Sequence, residues 1–427
     1  MPHIRVLCTG DLHLGRVSSK CTQDGEEIGD YSVRRAWQRV VDCAIAREVS
    51  LVLLSGDIAD DKSNPYEAMG SFEAGMARLA AKQIAVFCVA GNHDAQVLRR
   101  LVKSSKYPVH LLGHDGGWEQ VEWPEHAPQV SLIGWSHSDS NVRELPLAEL
   151  APSSHSDRPL LALAHTDYHN TTDKYAASNV EALRRISGVD CWLLGHIHAP
   201  EILAGAPLIL NPGSPQALDP GEPGIHGPWL LELAGNQVVQ VEQIPLSSVA
   251  YDAIVVSMDG FTEADELIAW LQPELDRLRE RYRSGEYQPR LSIRVTLTGR
   301  TDALNVLYEN RENLLNAQPR LYPDNMYFDG IELSGVRPAY DLRQLRREHG
   351  GPVAVLAGIL LALEEGETNE QAAAFLHGAG EVVRQTLNMP AFNLAEVKDD
   401  VPAAAEVLAT ECRRLLDVLL RQMEAAP

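Results

Sequence analysis

The chain has 427 residues, of which 45% are hydrophobic, so it is long enough for two or three domains whose cores need no disulfide or zinc support. Its formal net charge of -22 at pH 7 excludes a strongly basic protein that holds nucleic acid by overall charge alone. The longest helix-like apolar segment, residues 353–363, is too short to span a bilayer, and no signal peptide pattern precedes the first strand. We therefore expect a cytoplasmic protein with no membrane segment.

The first part of the chain, residues 1–245, alternates predicted strands and helices. Its elements in chain order are strand 4–9, helix 33–48, strand 51–55, helix 65–82, strand 84–90, a strand-rich stretch around 107–135, strand 160–164, helix 178–187, strand 190–195 and strands near 208 and 229. Several of these apolar runs stop at a glycine, as a buried strand does when it reaches the rim of a sheet. The pattern predicts an α/β domain with sheets flanked by helices.

The pattern changes after Pro245. The next predicted elements are strand 252–258, helix 262–283, strand 290–298, helix 302–316 and strand 326–336, which indicate a small α/β unit. From Pro352 the chain is predicted to be helical, and its last helix carries apolar residues at helical spacing, namely Val401, Ala405, Leu408, Cys412, Leu415, Leu419 and Met423. We therefore predict domains at 1–245, 250–350 and 352–427.

Polar residues that can bind metal ions follow the apolar runs. They are found in Gly10-Asp11-Leu12-His13, Gly56-Asp57, Gly91-Asn92-His93-Asp94, Ala164-His165 and Gly195-His196-Ile197-His198. Each segment alone is weak, because Gly-Asp is common in turns and a lone histidine is usually an ordinary hydrogen-bonded residue. Together they supply the carboxylate, amide and imidazole groups that two divalent ions about 3.5–4 Å apart require. The combination predicts a two-metal phosphoesterase.

The order of these motifs resembles the calcineurin-like metallophosphoesterase superfamily, from about Cys8 to Ser214. Three segments look like the SbcD and YhaO type of DNA repair nuclease, namely Gly10-Asp-Leu-His-Leu-Gly15, Gly56-Asp-Ile-Ala-Asp60 and Asn211-Pro-Gly-Ser-Pro-Gln216. The resemblance implies a metallophosphoesterase β-sandwich flanked by helices, followed by a small α/β capping domain that restricts access to the metals, and then by a helical C-terminus.

The resemblance also implies the metal ligands. One ion would be held by Asp11, His13, Asp57 and His198, and the other by Asp57, Asn92, His165 and His196. Asp57 would then bridge the two ions, since a carboxylate has two oxygens and its charge offsets the repulsion between cations. Shells of oxygen and imidazole ligands suit manganese, although iron or zinc could bind the same groups.

His93 is the candidate catalytic side chain. It would point away from the metals if Asn92 faces them, and the resemblance gives it contact with the phosphate and protonation of the leaving group. Asp94 is placed to orient the His93 ring, and a histidine suits this role because its ordinary pKa is near neutrality. The alternative is that His93 caps a turn.

We therefore predict a metal-dependent DNA nuclease of double-strand-break repair, in which a metal-activated hydroxide attacks the phosphodiester. One departure concerns the segment Ala59-Asp60-Asp61-Lys62, where some relatives carry a histidine implicated in handling the DNA strand. The alternatives are a phosphodiesterase or phosphatase of the same fold acting on nucleotides or phosphoproteins, and a DNA-end-binding scaffold whose site is vestigial. The complete set of ligands argues against the scaffold.

Two partners are expected besides DNA. The resemblance implies an SbcC-like coiled-coil ATPase gripped by the C-terminal helices, and a homodimer formed by the helices that begin after residues 64 and 94. Because the chain is acidic, a partner could also supply basic groups that hold DNA; the alternative is a local track formed by the chain's own basic clusters at Arg99-Arg100, 277–283 and 343–347. The alternative for the apolar stripe of the last helix is packing against the capping domain of the same chain.

Overall fold

The computed structural model describes residues 3–16, 31–60, 65–169, 176–262, 267–283, 285, 287–301, 303–304, 306–308, 311, 315, 326–365, 370, 372–378 and 401–424. The chain divides into two compact units, one formed by Met1–Asp252 and Glu280–Ser292 and the other by Ala253–Arg279 and Ile293–Pro427. Among the described residues, no helix is long and apolar enough to cross a membrane. The three predicted domain boundaries remain predictions.

The first unit contains two six-stranded sheets and four helices among its described residues. Its elements are β1 (His3–Thr9), α1 (Val33–Ala46), β2 (Leu51–Leu54), α2 (Pro65–Ala80), β3 (Ala85–Cys88), α3 (Val97–Ser104), β4 (His110–Leu111), β5 (Glu119–Trp123), β6 (Val130–Trp135), β7 (Leu160–His165), α4 (Val180–Arg185), β8 (Cys191–Gly195), β9 (Glu201–Leu203), β10 (Leu208–Asn211), β11 (Trp229–Ala234) and β12 (Gln237–Gln243).

The order of the first sheet is β12-β11-β1-β2-β3-β4, and that of the second is β5-β6-β7-β8-β10-β9. In the first sheet β1 to β4 are parallel, and in the second β6, β7, β8 and β10 are parallel. Antiparallel strands complete the first sheet at one edge, with β11 and β12, and the second sheet at both edges, with β5 and β9. Parallel strands place their carboxyl ends at one rim, and the segments that carry the predicted ligands begin there.

The two sheets pack face to face over an apolar core. One cluster joins Val6 and Leu53 of the first sheet to Leu132 and Leu163 of the second, all of them buried. The opposite face of the first sheet is covered by a second cluster that includes Trp37 of α1 and the α2 residues Phe72, Met76 and Leu79. A third cluster on the second sheet includes Trp135, Trp192 and Leu183 of α4. This arrangement confirms the predicted α/β sandwich of sheets flanked by helices.

The remaining described elements are β13 (Val249–Ser257), α5 (Leu267–Tyr282), β14 (Arg290–Thr301), β15 (Met326–Pro338), α6 (Leu342–Glu348), α7 (Gly351–Glu365) and α8 (Val401–Glu424). The three strands form a sheet in the order β13-β14-β15. The predicted helix 302–316 lies largely outside the described residues. The predicted helical C-terminal region is confirmed by α7 and α8.

The last helix packs against helices of its own unit. Ala409, Cys412 and Leu416 are buried in a cluster with residues of α6 and α7. The buried Arg413 side chain also forms an ion pair with Glu364 of α7, at 2.8 Å. Of the predicted stripe, Cys412 is buried and Leu408 and Leu419 pack against this cluster, whereas Leu415 and Met423 are about half exposed, so the buried face overlaps the predicted stripe only in part.

Candidate metal centre

The predicted ligands come together where β1, β2, β3, β7 and β8 end. Adjacent loops are joined by backbone hydrogen bonds, in which the N–H of Asp11 donates to the Gly56 carbonyl and the N–H of His13 donates to the Asp57 carbonyl, both at 2.9 Å. On the second sheet His165 ends β7 and pairs in register with Gly195 at the end of β8. The fold therefore places histidines from the second sheet opposite carboxylates from the first.

One cluster contains Asp11, His13 and His198, whose potential ligand atoms all lie within 4.8 Å of one another. The Nε2 atoms of His13 and His198 are 3.1 Å apart, and the His198 Nε2 is 3.9 Å from Oδ1 of Asp11. Asp11 and His13 are buried, whereas the His198 side chain is 22% exposed. Two ring nitrogens and a carboxylate facing one point form a suitable set of donors for a divalent ion.

A second cluster surrounds Asp57. Its Oδ2 is 3.2 Å from Nε2 of His165, and that Nε2 is 3.1 Å from Oδ1 of Asn92. The same Asp57 Oδ2 is 3.9 Å from Nε2 of His13 in the first cluster. Its other oxygen, Oδ1, accepts a hydrogen bond from the backbone N–H of His93 at 2.9 Å. A single carboxylate oxygen of Asp57 therefore lies between the two clusters.

His196 lies beside both clusters. Its backbone N–H donates to both carboxylate oxygens of Asp11, at 3.2 Å each. Its ring is edge-on to the His165 ring, with 5.5 Å between the centroids. The structure thus brings all seven predicted ligands into one region, while their metal-binding roles stay predictions.

Four residues of this centre have positive φ angles, a backbone conformation that residues other than glycine rarely adopt. Asp11, His13, Asp57 and His196 have φ angles of 48°, 47°, 47° and 98°. Such residues cost on the order of 1–3 kcal/mol each and persist where the surrounding structure holds them, which is common at functional sites. Four predicted ligands therefore share a strained geometry that an ordinary turn does not need.

Two glycines allow the loops to approach closely. A Cβ atom on Gly91 would lie 2.1 Å from Oδ1 of Asp57, and one on Gly195 would lie 2.2 Å from the Ser55 carbonyl oxygen. Real Cβ atoms do not approach other atoms so closely, so any side chain at these positions would displace Asp57 or the strand end. The glycines in the sequence motifs are therefore needed for packing at the site.

His93 lies at the edge of the first cluster. Its ring is edge-on to the His13 ring, with 5.2 Å between the centroids. A nitrogen of His93 and a carboxylate oxygen of Asp60 belong to a group that also includes His13 and spans at most 4.8 Å. Asp60 is therefore the carboxylate beside His93, and Asp61 and Lys62 of the same segment lie outside the described residues.

Asp94 makes different contacts from those expected. Its Oδ2 accepts from the backbone N–H of Ile58 and its Oδ1 from that of Gly91, both at 2.7 Å. Burial, and then the charge of Asp57, raise the pKa of Asp94 to about 7. These contacts tie together the loops after β2 and β3, and the role of Asp94 in orienting His93 stays a prediction.

Sequence reasoning did not identify three supporting side chains. Nε2 of the fully buried His137 donates to the backbone carbonyl of His165 at 2.9 Å. The Asn211 amide donates to the carbonyls of Ile197 and Ala199, which flank His198, at 2.7 and 2.8 Å. The third, Glu222, contacts the ring of His198 itself. Only Asn211 carried a signal, because it begins a recognised motif.

The histidines differ in protonation. Burial lowers the pKa of His13 and of His196 to about 4, so both rings are neutral. Burial also acts against protonation of His165 and His198, but Asp57 raises the pKa of His165 to about 9 and Glu222 raises that of His198 to about 8. The raised pKa of His165 agrees with its contacts, since Nε2 faces oxygen acceptors on Asp57 and Asn92.

These contacts fit a centre that binds divalent metal ions. Carboxylate, amide and imidazole donors converge, and among the described residues Nδ1 of His13 is buried without a hydrogen-bond partner. Nδ1 of His165 donates to the Ser55 carbonyl at 3.0 Å, which leaves Nε2 as the donor atom for an ion. The residues present are therefore chemically suited to two divalent ions.

Metal binding to this centre is expected to release protons. At pH 7 the metal-free His165 and His198 are protonated, because this pH lies below their pKa values of about 9 and about 8, and a ring must lose that proton to ligate an ion. Apparent Mn²⁺ affinity should therefore rise between pH 7 and 9. Calorimetric titration in two buffers of different ionisation enthalpy measures the release, and identical heats in both buffers would contradict it.

Comparison with known proteins finds a family match for part of the first unit. Residues 4–200 match the family described as calcineurin-like phosphoesterase. The chain is 25% identical over 223 residues to YhaO of Bacillus subtilis strain 168, an uncharacterized metallophosphoesterase, covering 47% of this chain and 50% of that protein. It is 24% identical over 220 residues to the DNA double-strand break repair protein Mre11 of Sulfolobus acidocaldarius, covering 50% and 54%. The chain thus spans about half the length of these curated relatives.

Solved structures share less similarity with the whole chain. A dimetal phosphatase from Danio rerio is 15% identical with a TM-score of 0.38, and the match covers 57% of this chain and 99% of that one. The calcineurin-like phosphoesterase YfkN from Bacillus subtilis is 14% identical with a TM-score of 0.33, and the match covers 64% and 97%. At this level the solved structures do not identify site residues, which depend on the geometry above.

Proposed function

We propose that the protein is a calcineurin-like metallophosphoesterase, because residues 4–200 match that family, and that it is a two-metal phosphodiesterase whose substrate is DNA. The superfamily accounts for metal-dependent hydrolysis of phosphoesters. The choice of DNA, the ligand assignment and a role in double-strand-break repair are the proposed parts.

The observation that carries the proposal is the position of Asp57. Its Oδ2 is 3.2 Å from Nε2 of His165 and 3.9 Å from Nε2 of His13, so one anionic oxygen faces both clusters. A phosphodiesterase with two ions needs such a bridge, because two cations close together repel each other unless an anion lies between them. The bridge supports a function that uses both clusters at once.

The residues of the chain would divide the work. Asp11, His13 and His198 would hold one ion, Asn92, His165 and His196 the other, and Asp57 both. The ions supply positive charge that polarises the phosphate and lowers the pKa of an attacking water. His93 lies at the rim, half buried, where its ring can donate a proton to the leaving oxygen. Asp60, beside it, can hold the ring in position.

The charge of the chain bears on the substrate. The net charge of -22 opposes autonomous binding of a polyanion, and several arginines are already engaged within the chain. Arg277 pairs with Glu274, Arg279 with Asp276 and Arg281 with Asp252. A DNA nuclease with this charge would receive basic groups from a partner. These observations also make a small phosphodiester the second candidate substrate.

One assay separates these functions. Purified protein with Mn²⁺ is incubated with duplex DNA, a cyclic nucleotide and a model phosphate ester, and with each after chelation. Cleavage of DNA supports the nuclease. Cleavage of only the cyclic nucleotide or ester would instead indicate the alternative phosphodiesterase or phosphatase, and metal binding with no hydrolysis would indicate a DNA-end-binding scaffold.

The proposed protein partner is an SbcC-like coiled-coil ATPase docked on α8. The buried face of this helix packs within its own unit, so a partner would have to use the opposite face, where Val407, Leu415 and Val418 are 55%, 53% and 39% exposed. Removal of the whole helix would therefore also remove core residues such as Leu416. Substitution of the exposed face is the sharper experiment.

The double variant Leu415→Asp, Val418→Asp is expected to lose co-purification with the ATPase while unfolding cooperatively and cleaving a small phosphodiester normally. The reason is that charge on this exposed face blocks apolar docking without entering the core. Phe375→Asp is the matched control, since Phe375 is 54% exposed on another helical segment. Undiminished ATPase binding by the double variant would exclude this face.

The proposed homodimer would use α2 and α3. Tyr66 and Met69 at the start of α2 are 82% and 38% exposed, whereas Phe72 and Met76 further along the helix are buried. Exposed apolar side chains next to one another are compatible with an interface. Sedimentation of wild-type protein and of Tyr66→Glu measures whether such a dimer exists in solution.

A further inference from the structure

The Nδ1 atoms of three predicted histidine ligands have different environments. Nδ1 of His198 is 2.6 Å from Oε1 of Glu222, and Nδ1 of His165 donates to the Ser55 carbonyl at 3.0 Å. Nδ1 of His13 is buried with no hydrogen-bond partner within the described part of the chain. A carboxylate is a stronger acceptor than a carbonyl, so the hydrogen bond of His198 is stronger than that of His165.

Glu222 is held so that one oxygen is left for His198. Its Oε2 accepts from the backbone N–H of Leu218 at 2.8 Å and from Oγ of Ser214 at 3.3 Å. Its own backbone N–H donates to the Asp219 carbonyl at 3.0 Å, and the residue is 7% exposed. Two hydrogen bonds therefore hold Oε2 in place, and Oε1 remains to contact the His198 ring.

Other groups fix the backbone of His198. The N–H of Ser214 donates to the His198 carbonyl at 2.9 Å, and the Asn211 amide donates to the carbonyls on either side of His198. A Cβ on Gly213 would lie 2.3 Å from the His198 carbonyl oxygen, so this approach requires glycine. Rotation of the ring is the freedom that these contacts leave, and Glu222 acts on that rotation.

We propose that Glu222 is a positioning residue for His198, whose carboxylate accepts the Nδ1 proton and holds Nε2 toward Asp11 and His13, which raises the affinity of that cluster for a divalent ion. This inference rests on the proposed function, because it treats His198 as a ligand. The effect is confined to one of two sites, since His165 takes its Nδ1 contact from Ser55. Hydrogen bonds of this kind orient a ligating ring and increase its basicity.

The test is calorimetric titration of Glu222→Gln with Mn²⁺ alone. Glutamine keeps the shape and an oxygen acceptor for Leu218 but removes the charge, so the metal-free protein should still fold and unfold cooperatively. We expect the affinity of one site to fall roughly 10–100-fold and that of the other to stay at the wild-type value. The downfield proton resonance of the His198 Nδ1–H group should also disappear in the variant.

Glu201→Gln is the matched control. Oε2 of Glu201 is 2.9 Å from Nε2 of His169, so this variant also removes the charge of a carboxylate paired with a histidine. It should bind both Mn²⁺ ions with wild-type affinity. If Glu222→Gln does not fold, the titration is repeated with Glu222→Asp. Aspartate keeps the charge but is too short to reach the ring, so the same loss of Mn²⁺ affinity at one site is expected.

Three outcomes would overturn the inference. If wild-type protein binds two ions and Glu222→Gln binds both equally well, Glu222 does not position His198 while the proposed function stands. If both sites weaken together and cooperative unfolding is lost, Glu222 has only a structural role. If wild-type protein binds no pair of ions, the proposed function fails as well.

Discussion

Asp57→Asn is expected to abolish phosphodiesterase activity and to lower the metal content of the purified protein while the chain remains folded. Oδ2 of Asp57 faces Nε2 of both His165 and His13. The substitution therefore removes a negative charge that both clusters share. An amide oxygen cannot offset the repulsion between two cations as a carboxylate does. The fold should persist, because an asparagine oxygen can still accept from the His93 backbone N–H.

The measurements are hydrolysis of a small phosphodiester, metal content by elemental analysis and thermal unfolding. Asp190→Asn is the matched control, since Oδ2 of Asp190 accepts from the backbone N–H of Leu160 at 2.8 Å, at the opposite end of β7 from His165. The control should keep its activity and its metal. Wild-type turnover by Asp57→Asn would exclude the proposed metal assignment.

Much of the centre could be anticipated from strand ends. Asp11, Asp57 and His165 follow apolar runs that are buried strands in the structure, and parallel strands bring such ends to one rim. Local sequence pattern and the rule for parallel sheets are enough to expect these residues at one rim. The fold class is therefore predictable from the sequence, whereas the distances between the two clusters depend on the loops and are not.

Contacts set by loop conformation could not be anticipated. Glu222 is 24 residues from His198 in a loop, and nothing in its local sequence distinguishes it from an exposed glutamate. Asp94 is adjacent to His93 in sequence, but the turn directs its carboxylate to the backbone of Gly91 and Ile58. Adjacency along the chain suggests Asp94 as the partner of His93, and the structure also places Asp60 beside that ring.

The buried face of α8 could not be anticipated for a similar reason. The predicted stripe consists of Val401, Ala405, Leu408, Cys412, Leu415, Leu419 and Met423, but Ala409, Cys412, Leu416 and Leu420 form an overlapping stripe that is equally apolar. Pattern alone cannot choose between them, because both satisfy a period of about 3.6 residues. The packing of Leu416 and the ion pair of Arg413 with Glu364 decide the buried face.

His93→Ala is expected to reduce the hydrolysis rate by roughly 10²–10⁴-fold while both ions remain bound. The ring lies beside the first cluster, edge-on to His13, and its backbone N–H rather than its ring is what contacts Asp57. Alanine keeps that backbone contact and removes only the proton donor. Rate and metal content must therefore be measured on the same preparation.

Asp60→Asn shows whether the neighbouring carboxylate acts through His93. Their side chains share a group that spans at most 4.8 Å, so the two substitutions should not be additive: Asp60→Asn should lower the rate in wild-type protein but have little effect once His93 is alanine. Independent, additive losses would separate Asp60 from His93. Loss of metal from His93→Ala would make His93 a ligand, and an unchanged rate would leave it only the role of capping its turn.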